Sequence, residues 1–198
     1  MVTTHEIEVR AIHYDSRKIQ KGDLFVAIKG TLADGHKFID MAIANGAKAV
    51  VIENDAVLPD SFFMHAGVVK IVVGDTRRAL AIISGNFFGH PARKLTLIGV
   101  TGTNGKTTTT YLIKQLLESS SPSLRGKVGM IGTIEYIVGD ERMPATHTTP
   151  ESLELNQLFV QMVERQCTHV VMEVSSHSLQ QNRVHGLEFA AAVFTNLT

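Results

Sequence analysis

The sequence predicts an α/β protein in which a small α/β unit is followed by a second unit with a mostly parallel sheet. Short apolar runs suited to buried strands alternate with segments whose apolar residues recur at helical spacing, a pattern typical of parallel sheets. One apolar run, residues 95–100, breaks into a glycine-containing loop that is followed by Lys-Thr and a helical segment. The string HPAR at residues 90–93 interrupts the periodicity, so we divide the chain into residues 1–92 and 93–198.

In the first unit, apolar runs predict strands and periodic segments predict helices. The strands are predicted at residues 24–28, 49–52 and 71–73, and the helical positions are Phe38, Met41 and Ala42 in one helix and Leu80, Ile83 and Phe87 in the next. Gly46 is placed to end the first helix, because glycine adopts the left-handed conformation common at that point. Asp75 or Thr76 is placed to cap the second helix.

In the second unit, further strands alternate with two long helical segments. The strands are predicted at residues 128–131, 134–138, 170–174 and 190–194, and the last two of them are expected to be buried. The apolar stripe of the first helix is Leu112, Ile113, Leu116 and Leu117, and that of the second helix is Leu155, Leu158, Phe159, Met162 and Val163. The string Thr149-Pro150-Glu151 predicts the start of the second helix, with Thr149 as its N-cap and proline in the first turn.

The string TGTNGKTT, residues 101–108, has the parts of a phosphate-binding P-loop between a strand and a helix. Glycines let the backbone wrap closely round a polyphosphate, and the loop N–H groups and the helix dipole face the anion. The residues expected to bind the nucleotide are Gly102, Thr103, Asn104, Gly105, Lys106, Thr107 and Thr108. Lys106 would supply charge to the phosphates and Thr107 a hydroxyl to Mg²⁺. The strict pattern places a glycine at position 100, where this chain has Val100.

Glu173 directly follows the apolar run at residues 170–172. A carboxylate at this edge of an open α/β sheet is placed to hold Mg²⁺ beside the phosphates, so we expect Glu173 and Thr107 to share the metal. The adjacent Ser176 and His177 suggest a hydrolase. However, the G-x-S-x-G pattern is absent, and adjacency in sequence is not the geometry of a catalytic triad.

Composition describes an ordinary globular chain, with 44% hydrophobic and 19% charged residues. Basic and acidic residues both number 19, so no bulk charge directs the chain to nucleic acid or to a membrane. Cys167 is the only cysteine, which excludes an internal disulfide and fits a reducing compartment. The string MVTTHEIEVR lacks the apolar core of a secretory signal, and no apolar run is long enough to cross a bilayer. We therefore expect a cytoplasmic protein.

Several strings resemble the Mur ligase family, the ATP-dependent amide-forming enzymes of peptidoglycan synthesis. They are DSRKIQKGDLFVAIKG near the start, TGTNGKTTT and HTTPESL in the middle, and MEVSSHSLQQNRVHG followed by VFTNLT at the end. Their length and order point to the MurE-type branch, the UDP-N-acetylmuramoyl-L-alanyl-D-glutamate ligases. The resemblance covers nearly the whole chain.

The resemblance implies that residues 1–92 form a domain that binds UDP-MurNAc and that residues 93–198 form an incomplete ATP-binding domain. The substrate contacts that it implies are Tyr14, Ser16, Thr31, Leu32 and Ala33 in the first domain and His147, Thr148, Thr149, Ser175, Gln181 and Arg183 in the second. Ser16 and the backbone near Tyr14 would hold the uracil nucleotide. The family usually has asparagine where this chain has His147, and Thr149 is expected to serve both as helix cap and as substrate contact.

By the same resemblance, the chain is part of an ATP-dependent ligase with Lys106 and Glu173 as catalytic residues. ATP would phosphorylate the free D-Glu carboxylate of UDP-MurNAc-L-Ala-D-Glu, and the amine of L-lysine or meso-diaminopimelate would attack the acyl phosphate. The family's C-terminal domain selects that amino acid, and we expect this chain to be the inactive front part of a longer, monomeric protein. Two alternatives stay open. One is another Mur-like ligase, of the MurF or folylpolyglutamate synthase type, against which DSR…GDLFVA and EVSSHSL argue. The other is a nucleotide-binding module without catalysis.

Overall fold

The computed structural model describes residues 7–30, 33–53, 55 and 57–197. The chain divides into two compact units, Met1–Leu80 and Ala81–Thr198. This boundary lies within a helix, Thr76–Phe87, and the HPAR string belongs to the second unit, where it overlaps a short 3₁₀ helix, Pro91–Lys94.

The first unit is built on a parallel sheet with the strand order β1-β2-β3-β4. The strands are β1 Ile12–His13, β2 Leu24–Val26, β3 Ala49–Ile52 and β4 Val69–Val72, and the helices are α1 Ile39–Ala44 and α2 Asp60–Ala66. The next helix, α3 Thr76–Phe87, contains the boundary between the two units. The predicted strands and the α/β class are confirmed. The β1 strand was not predicted, because two residues are too few to show a periodic pattern.

The buried face of the first helix differs from the predicted one. Ile39 and Ala42 of α1 pack against Phe25 and Val50 of the sheet, whereas Met41 and the preceding Phe38 are exposed. Gly46 follows the C-cap residue of α1 with φ of +104°, so its predicted role in ending the helix is confirmed.

The second unit is built on a mixed sheet with the strand order β10-β5-β9-β6-β7-β8. The strands are β5 Thr96–Thr101, β6 Val128–Ile131, β7 Glu135–Val138, β8 Glu141–Pro144, β9 His169–Glu173 and β10 Phe189–Phe194, and the helices are α4 Lys106–Ser120, α5 Ser152–Glu164 and α6 Ser176–Gln180. The first four strands in the sheet order are mutually parallel, and β7 and β8 extend the sheet as antiparallel strands. The predicted mostly parallel sheet is therefore confirmed.

The two long helices cover opposite faces of this sheet. Ile113 and Leu117 of α4 pack with Val100 and Val171, whose neighbours in the strands point to the other face. On that other face, the apolar side of α5 packs against Leu97 and alternate residues of β9. Burial on both faces explains why β5 and β9 read as continuous apolar runs.

Three details of the second unit differ from the sequence prediction. Leu112 and Leu116 are exposed, because α4 contacts the sheet through the narrower stripe of Ile113 and Leu117. Residues 190–194 form the predicted strand β10, but the strand lies at the edge of the described sheet and most of its side chains are exposed or half-buried.

The predicted N-cap at Thr149 is also wrong. Helix α5 begins at Ser152, and its N-cap is Glu151, whose carboxylate accepts a hydrogen bond from the Ser152 N–H. The Thr149 hydroxyl is used elsewhere, since it donates to the backbone carbonyl of Glu173 at 2.9 Å. Across the described ranges, no helix is both long and apolar enough to cross a membrane.

Candidate nucleotide-binding site

The site begins at the loop between β5 and α4. Gly102 has φ of +130° and Gly105 has φ of +81°, backbone conformations that glycine adopts without strain. Gly105 is the N-cap of α4, and Lys106 is the first residue of the helix. The first N–H groups of a helix have no acceptor within the helix, so those that open α4 are placed to bind an anion.

The Lys106 ammonium lies against the loop that precedes it. Its Nζ atom donates to the backbone carbonyls of Gly102 at 2.8 Å and Thr103 at 3.0 Å. An ammonium group has three donors, so these bonds leave donor capacity for a phosphate oxygen. The Gly102 and Thr103 carbonyls therefore hold the Lys106 ammonium group beside the loop.

Glu173 is a buried carboxylate at the end of β9. It pairs with Val100 of the neighbouring strand β5, so the acid emerges at the edge of the sheet where the P-loop begins. Its side chain is 1% exposed, and it accepts hydrogen bonds from the Thr133 N–H at 2.9 Å and the Thr133 hydroxyl at 3.0 Å. A Cβ at position 132 would lie 2.8 Å from the Glu173 carboxylate, so a larger residue than Gly132 would displace that carboxylate.

A line of hydroxyl groups runs from Thr148 to this carboxylate. The Thr133 oxygen lies 3.2 Å from the Thr148 hydroxyl and 3.0 Å from the Glu173 carboxylate. The Thr133 hydroxyl is placed to donate to either oxygen, and its one proton serves the Glu173 carboxylate, which can only accept. This arrangement fixes the orientation of Glu173 and connects it to a predicted substrate residue.

Tyr111 of α4 lies close to the same edge of the sheet. Its hydroxyl donates to the Glu135 carboxylate at 2.6 Å. Burial and this hydrogen bond raise the pKa of Tyr111 to about 12, and the charge of Glu173 adds to the effect. Tyr111 is therefore a neutral donor at physiological pH.

The P-loop, Glu173 and Thr133 line one cavity of about 300 Å³. Its lining joins most of the predicted P-loop residues to Glu173 and to two of the predicted substrate residues. The lining residues are Thr103, Asn104, Gly105, Lys106, Thr107, Thr108, Thr133, Thr148, Glu173 and Ser175. The sequence did not single out Thr133, which lies in the short connection between β6 and β7.

The remaining predicted substrate residues of this unit do not line the cavity, and three of them, Thr149, Gln181 and Arg183, are joined by hydrogen bonds. Arg183 donates to the Thr149 carbonyl at 2.7 Å and to the Gln181 side-chain oxygen, with Glu151 3.7 Å away. His147 is held through its backbone, whose N–H and carbonyl both bond the Tyr136 hydroxyl, while its side chain is exposed.

In the first unit, Ser16 is buried at the start of a 3₁₀ helix, Ser16–Lys18. Asp15 caps this helix, and hydrogen bonds from Arg17 lower the pKa of Asp15 to about 2. The Asn45 side-chain amide donates to the Ser16 carbonyl at 2.9 Å, which ties the turn to the end of α1. Asn45 was not singled out from the sequence, and Tyr14 lies directly before this turn.

Of the predicted residues at positions 31–33, Thr31 and Leu32 lie outside the described residues, and Ala33 closes the loop with its carbonyl. That carbonyl accepts from the Gly30 N–H at 2.9 Å.

The loop is followed by His36, whose Nε2 accepts the Glu53 N–H at 2.9 Å. The proton is therefore on Nδ1, which donates to Asp34 at 2.7 Å. Burial opposes the shift, but the hydrogen bonds from His36 hold the pKa of Asp34 below its usual value.

The donor set at the cavity suits a hard divalent cation. Thr107 and Glu173 offer a hydroxyl and a carboxylate, and Mg²⁺ takes oxygen ligands of this kind while keeping several waters. Within the described residues, no cluster of three or more His, Cys, Asp or Glu side chains could hold a metal by itself. The residues therefore fit a Mg²⁺ ion that also binds phosphate oxygens.

We predict that Thr133 positions Glu173 for nucleotide binding. Thr133→Val removes the hydroxyl that donates to the carboxylate but keeps the backbone N–H, so the affinity for ATP with Mg²⁺ should fall about tenfold. Thr133→Ser keeps the hydroxyl and should bind like the unaltered chain. Isothermal titration of both variants measures this, and equal affinity of Thr133→Val and Thr133→Ser would contradict the assignment.

Two adjacent parallel strands, β5 and β9, are followed by a glycine-lysine loop and end in a buried acid, respectively. This arrangement is typical of P-loop α/β proteins. The profile described as Mur ligase middle domain matches residues 100–198, and the profile described as Mur ligase family, catalytic domain, matches residues 8–88. The chain belongs to the Mur ligase family. This confirms the resemblance found in the sequence.

Among its relatives, the chain is 49% identical over 192 residues to UDP-N-acetylmuramoyl-L-alanyl-D-glutamate--2,6-diaminopimelate ligase of Clostridium botulinum, covering 96% of this chain and 38% of that protein. The ligase of the same name from Clostridium tetani is 49% identical over 193 residues, with 98% and 38% covered. A solved structure of a ligase of this name matches with a TM-score of 0.73 at 28% identity, covering 96% of this chain and 37% of that one.

MurF from Acinetobacter baumannii matches less closely, with a TM-score of 0.51 at 27% identity and coverage of 89% and 32%. The chain spans about 38% of the length of the curated relatives that it matches.

Proposed function

We propose that this chain is the substrate- and ATP-binding part of a MurE-type ligase. The ligase would use ATP to join a diamino acid to the D-Glu side-chain carboxylate of UDP-MurNAc-L-Ala-D-Glu through an acyl phosphate. The relatives are named for 2,6-diaminopimelate, so we propose meso-diaminopimelate rather than L-lysine as the amino acid. The domain division that we propose is 1–92 for UDP-MurNAc and 93–198 for ATP.

The observation that carries this proposal is the convergence of Lys106, Thr107 and Glu173 on one cavity. Lys106 and Thr107 open α4, which follows β5 after the loop, and Glu173 ends β9. The strands β5 and β9 are neighbouring and parallel, in register at Val100 and Glu173. A lysine, a hydroxyl and a carboxylate at one strand edge are the groups that phosphoryl transfer from ATP requires.

The chemistry of phosphoryl transfer explains why these residues are needed. A carboxylate is a poor acylating agent until one of its oxygens becomes a phosphate leaving group. Transfer onto an anionic carboxylate needs charge neutralisation, which Lys106 and the N–H groups at the start of α4 supply. Thr148 and Ser175 line the same cavity and would orient the carboxylate that receives the phosphoryl group.

Thr107 and Glu173 would hold Mg²⁺ beside the phosphates, where the ion neutralises charge on the transferred group. Glu173 is already oriented for this role, because Thr133 donates a hydrogen bond to each of its two carboxylate oxygens. In the first unit, Ser16 and the backbone near Tyr14 would bind the uracil nucleotide, and the loop at residues 31–33 would line the diphosphate and sugar.

The alternatives are weaker but testable. A MurF-type ligase shares the architecture, yet its structural match has a lower TM-score than the diaminopimelate ligase, 0.51 against 0.73. A nucleotide-binding module without catalysis would bind ATP and ignore the UDP-MurNAc peptide. We further propose a cytoplasmic monomer that binds neither nucleic acid nor membrane.

The test is a titration of the purified chain with ATP and Mg²⁺ and, separately, with UDP-MurNAc-L-Ala-D-Glu. We expect saturable binding of ATP that ADP competes for, and binding of the uridine compound that UDP competes for. UDP-N-acetylglucosamine, which lacks the peptide, should bind more weakly. A chain that melts cooperatively but binds ATP no better than adenosine would contradict the proposal. Binding of ATP alone would favour the non-catalytic module.

A further inference from the structure

The segment that follows β10 lies directly on the P-loop. The Asn196 carbonyl accepts the Thr103 N–H at 3.0 Å, and its side-chain oxygen accepts the Asn104 N–H at 3.1 Å. The Asn196 side-chain amide and the Thr195 hydroxyl both donate to the Asn104 carbonyl, at 3.2 and 2.6 Å. Asn196 therefore bonds the N–H groups of both Thr103 and Asn104, and Thr195 adds a bond to the Asn104 carbonyl.

The same segment explains the unusual placement of glycine in this P-loop. A Cβ at Gly102 would collide with the Thr195 hydroxyl and would lie 2.9 Å from the Asn196 carbonyl oxygen. Val100, where the strict pattern has glycine, is instead a buried residue of β5. The close approach of Thr195 and Asn196 thus requires the glycine at position 102 in this chain.

These contacts divide the loop into two functional halves. The N–H groups of Thr103 and Asn104 are occupied by Asn196. The N–H groups of Lys106 and Thr107, which open α4, have no acceptor within the helix. The second half of the loop is therefore the part placed to bind a polyphosphate, while the first half is bonded by Asn196.

We infer that Thr195 and Asn196 are positioning residues of the nucleotide site, an inference that rests on the proposed binding of ATP. Thr103, Asn104 and Gly105 are exposed, so little packing orders the tip of the loop. Without the contacts from Thr195 and Asn196, binding would bear the entropic cost of ordering these residues. Because Thr195 and Asn196 hold the tip before ATP binds, the second half of the loop is already in the conformation that binds phosphate.

The test compares Asn196→Ala and Thr195→Val with Thr195→Ser, which keeps the hydroxyl, and with Thr96→Val. Thr96 is an exposed threonine at the opposite end of β5, so its change is a matched control. Isothermal titration measures the affinities for ATP, ADP and AMP, and thermal melting monitors folding. We expect Asn196→Ala and Thr195→Val to weaken ATP and ADP binding about tenfold, with AMP much less affected and both controls unchanged.

Amide hydrogen exchange by NMR on the nucleotide-free chain provides a second measurement that is independent of ATP. The Thr103 and Asn104 amides should exchange slowly in the unaltered chain and fast in Asn196→Ala, while the Lys106 amide exchanges fast in both. If the unaltered chain bound no ATP but showed this protection, the proposed function would fail and the arrangement of the loop would stand.

The inference is overturned if the loop amides exchange fast in the unaltered chain. It is also overturned if the variants bind ATP with unchanged affinity. Tighter binding by Asn196→Ala would overturn it as well, because Asn196 would then compete with phosphate for the Asn104 N–H. Should Asn196→Ala fail to fold, Thr195→Val decides the question by the same affinities.

Discussion

Lys106→Ala is expected to bind ATP about a hundredfold more weakly than the unaltered chain. Lys106 lines the cavity, and its ammonium is held at the mouth of the P-loop by the Gly102 and Thr103 carbonyls. A charge-assisted hydrogen bond to a phosphate, lost together with the associated Coulomb attraction, corresponds to about 3 kcal/mol of binding free energy. The effect should grow with the number of phosphates, so that ATP loses more affinity than AMP.

The matched control is Lys114→Ala. Lys114 lies two turns further along α4 and is paired with Glu118 at 2.6 Å, so its loss should leave ATP affinity unchanged. Isothermal titration measures both variants, and melting temperatures confirm that each is folded. ATP affinity of Lys106→Ala within twofold of the control would show that the loop is not a phosphate site.

Glu173→Gln is expected to shift the Mg²⁺ dependence of ATP binding to higher Mg²⁺ concentrations. In the longer ligase that we propose, it should also lower kcat about a hundredfold, or about 3 kcal/mol of transition-state stabilisation. Gln keeps the size of the side chain and removes its charge. The carboxylate is placed with Thr107 on the cavity wall, so the missing charge weakens the hold on Mg²⁺ specifically. Raised Mg²⁺ should partly restore ATP affinity.

The same substitution should leave the melting temperature unchanged or raise it. Glu173 is a buried carboxylate, and burying a charge is unfavourable unless donors compensate it. In Glu173→Gln the new amide can donate to the Thr133 hydroxyl, whose own proton can then go to Thr148, so the contacts with Thr133 are kept. The substitution should thus lower the affinity for Mg²⁺ without lowering the melting temperature, as expected for a residue that serves function and not stability.

Glu141→Gln is the control for this pair of measurements. Glu141 forms an exposed ion pair with Arg165 at 2.6 Å, and exposed pairs contribute little to stability. ATP binding should respond to Mg²⁺ in this variant as in the unaltered chain. If Glu173→Gln also kept the normal Mg²⁺ dependence, Glu173 would be no more than a buried acid at a strand end.

Local sequence patterns predict the architecture and the centre of the site. The strands β5 and β9 are long apolar runs, and the loop between β5 and α4 has glycines at the turns and lysine at the helix start. Because parallel strands end at a common edge, Glu173 could be placed beside the P-loop before the register of the strands was known.

Patterns of this kind do not show contacts between distant segments. Thr133 lies in a short connection without periodicity, and its role appears only where the hydroxyl meets Glu173, 40 positions away. Asn196 reaches Asn104 from 92 positions away. Thr149 was misread as a helix cap because the local string favours one, whereas a contact with the Glu173 carbonyl determines where its hydroxyl points.

Burial was predicted less well than secondary structure. Apolar residues at neighbouring helical positions, such as Leu112 and Ile113, belong to one stripe in the sequence, but the sheet contacts only the narrower part of that stripe. Residues 190–194 were predicted to form a buried strand because they are apolar, whereas β10 is an edge strand of the sheet that the described residues form.

A double-mutant cycle between Lys106→Ala and Glu173→Gln tests the central claim most directly. The two residues should act on the same bound ATP and Mg²⁺, so the effects of the single changes on ATP affinity should not add when Mg²⁺ is present. We expect a coupling free energy of about 0.5–3 kcal/mol, which should shrink when Mg²⁺ is removed by chelation. Effects that add fully, with and without Mg²⁺, would show that Lys106 and Glu173 do not serve one nucleotide site.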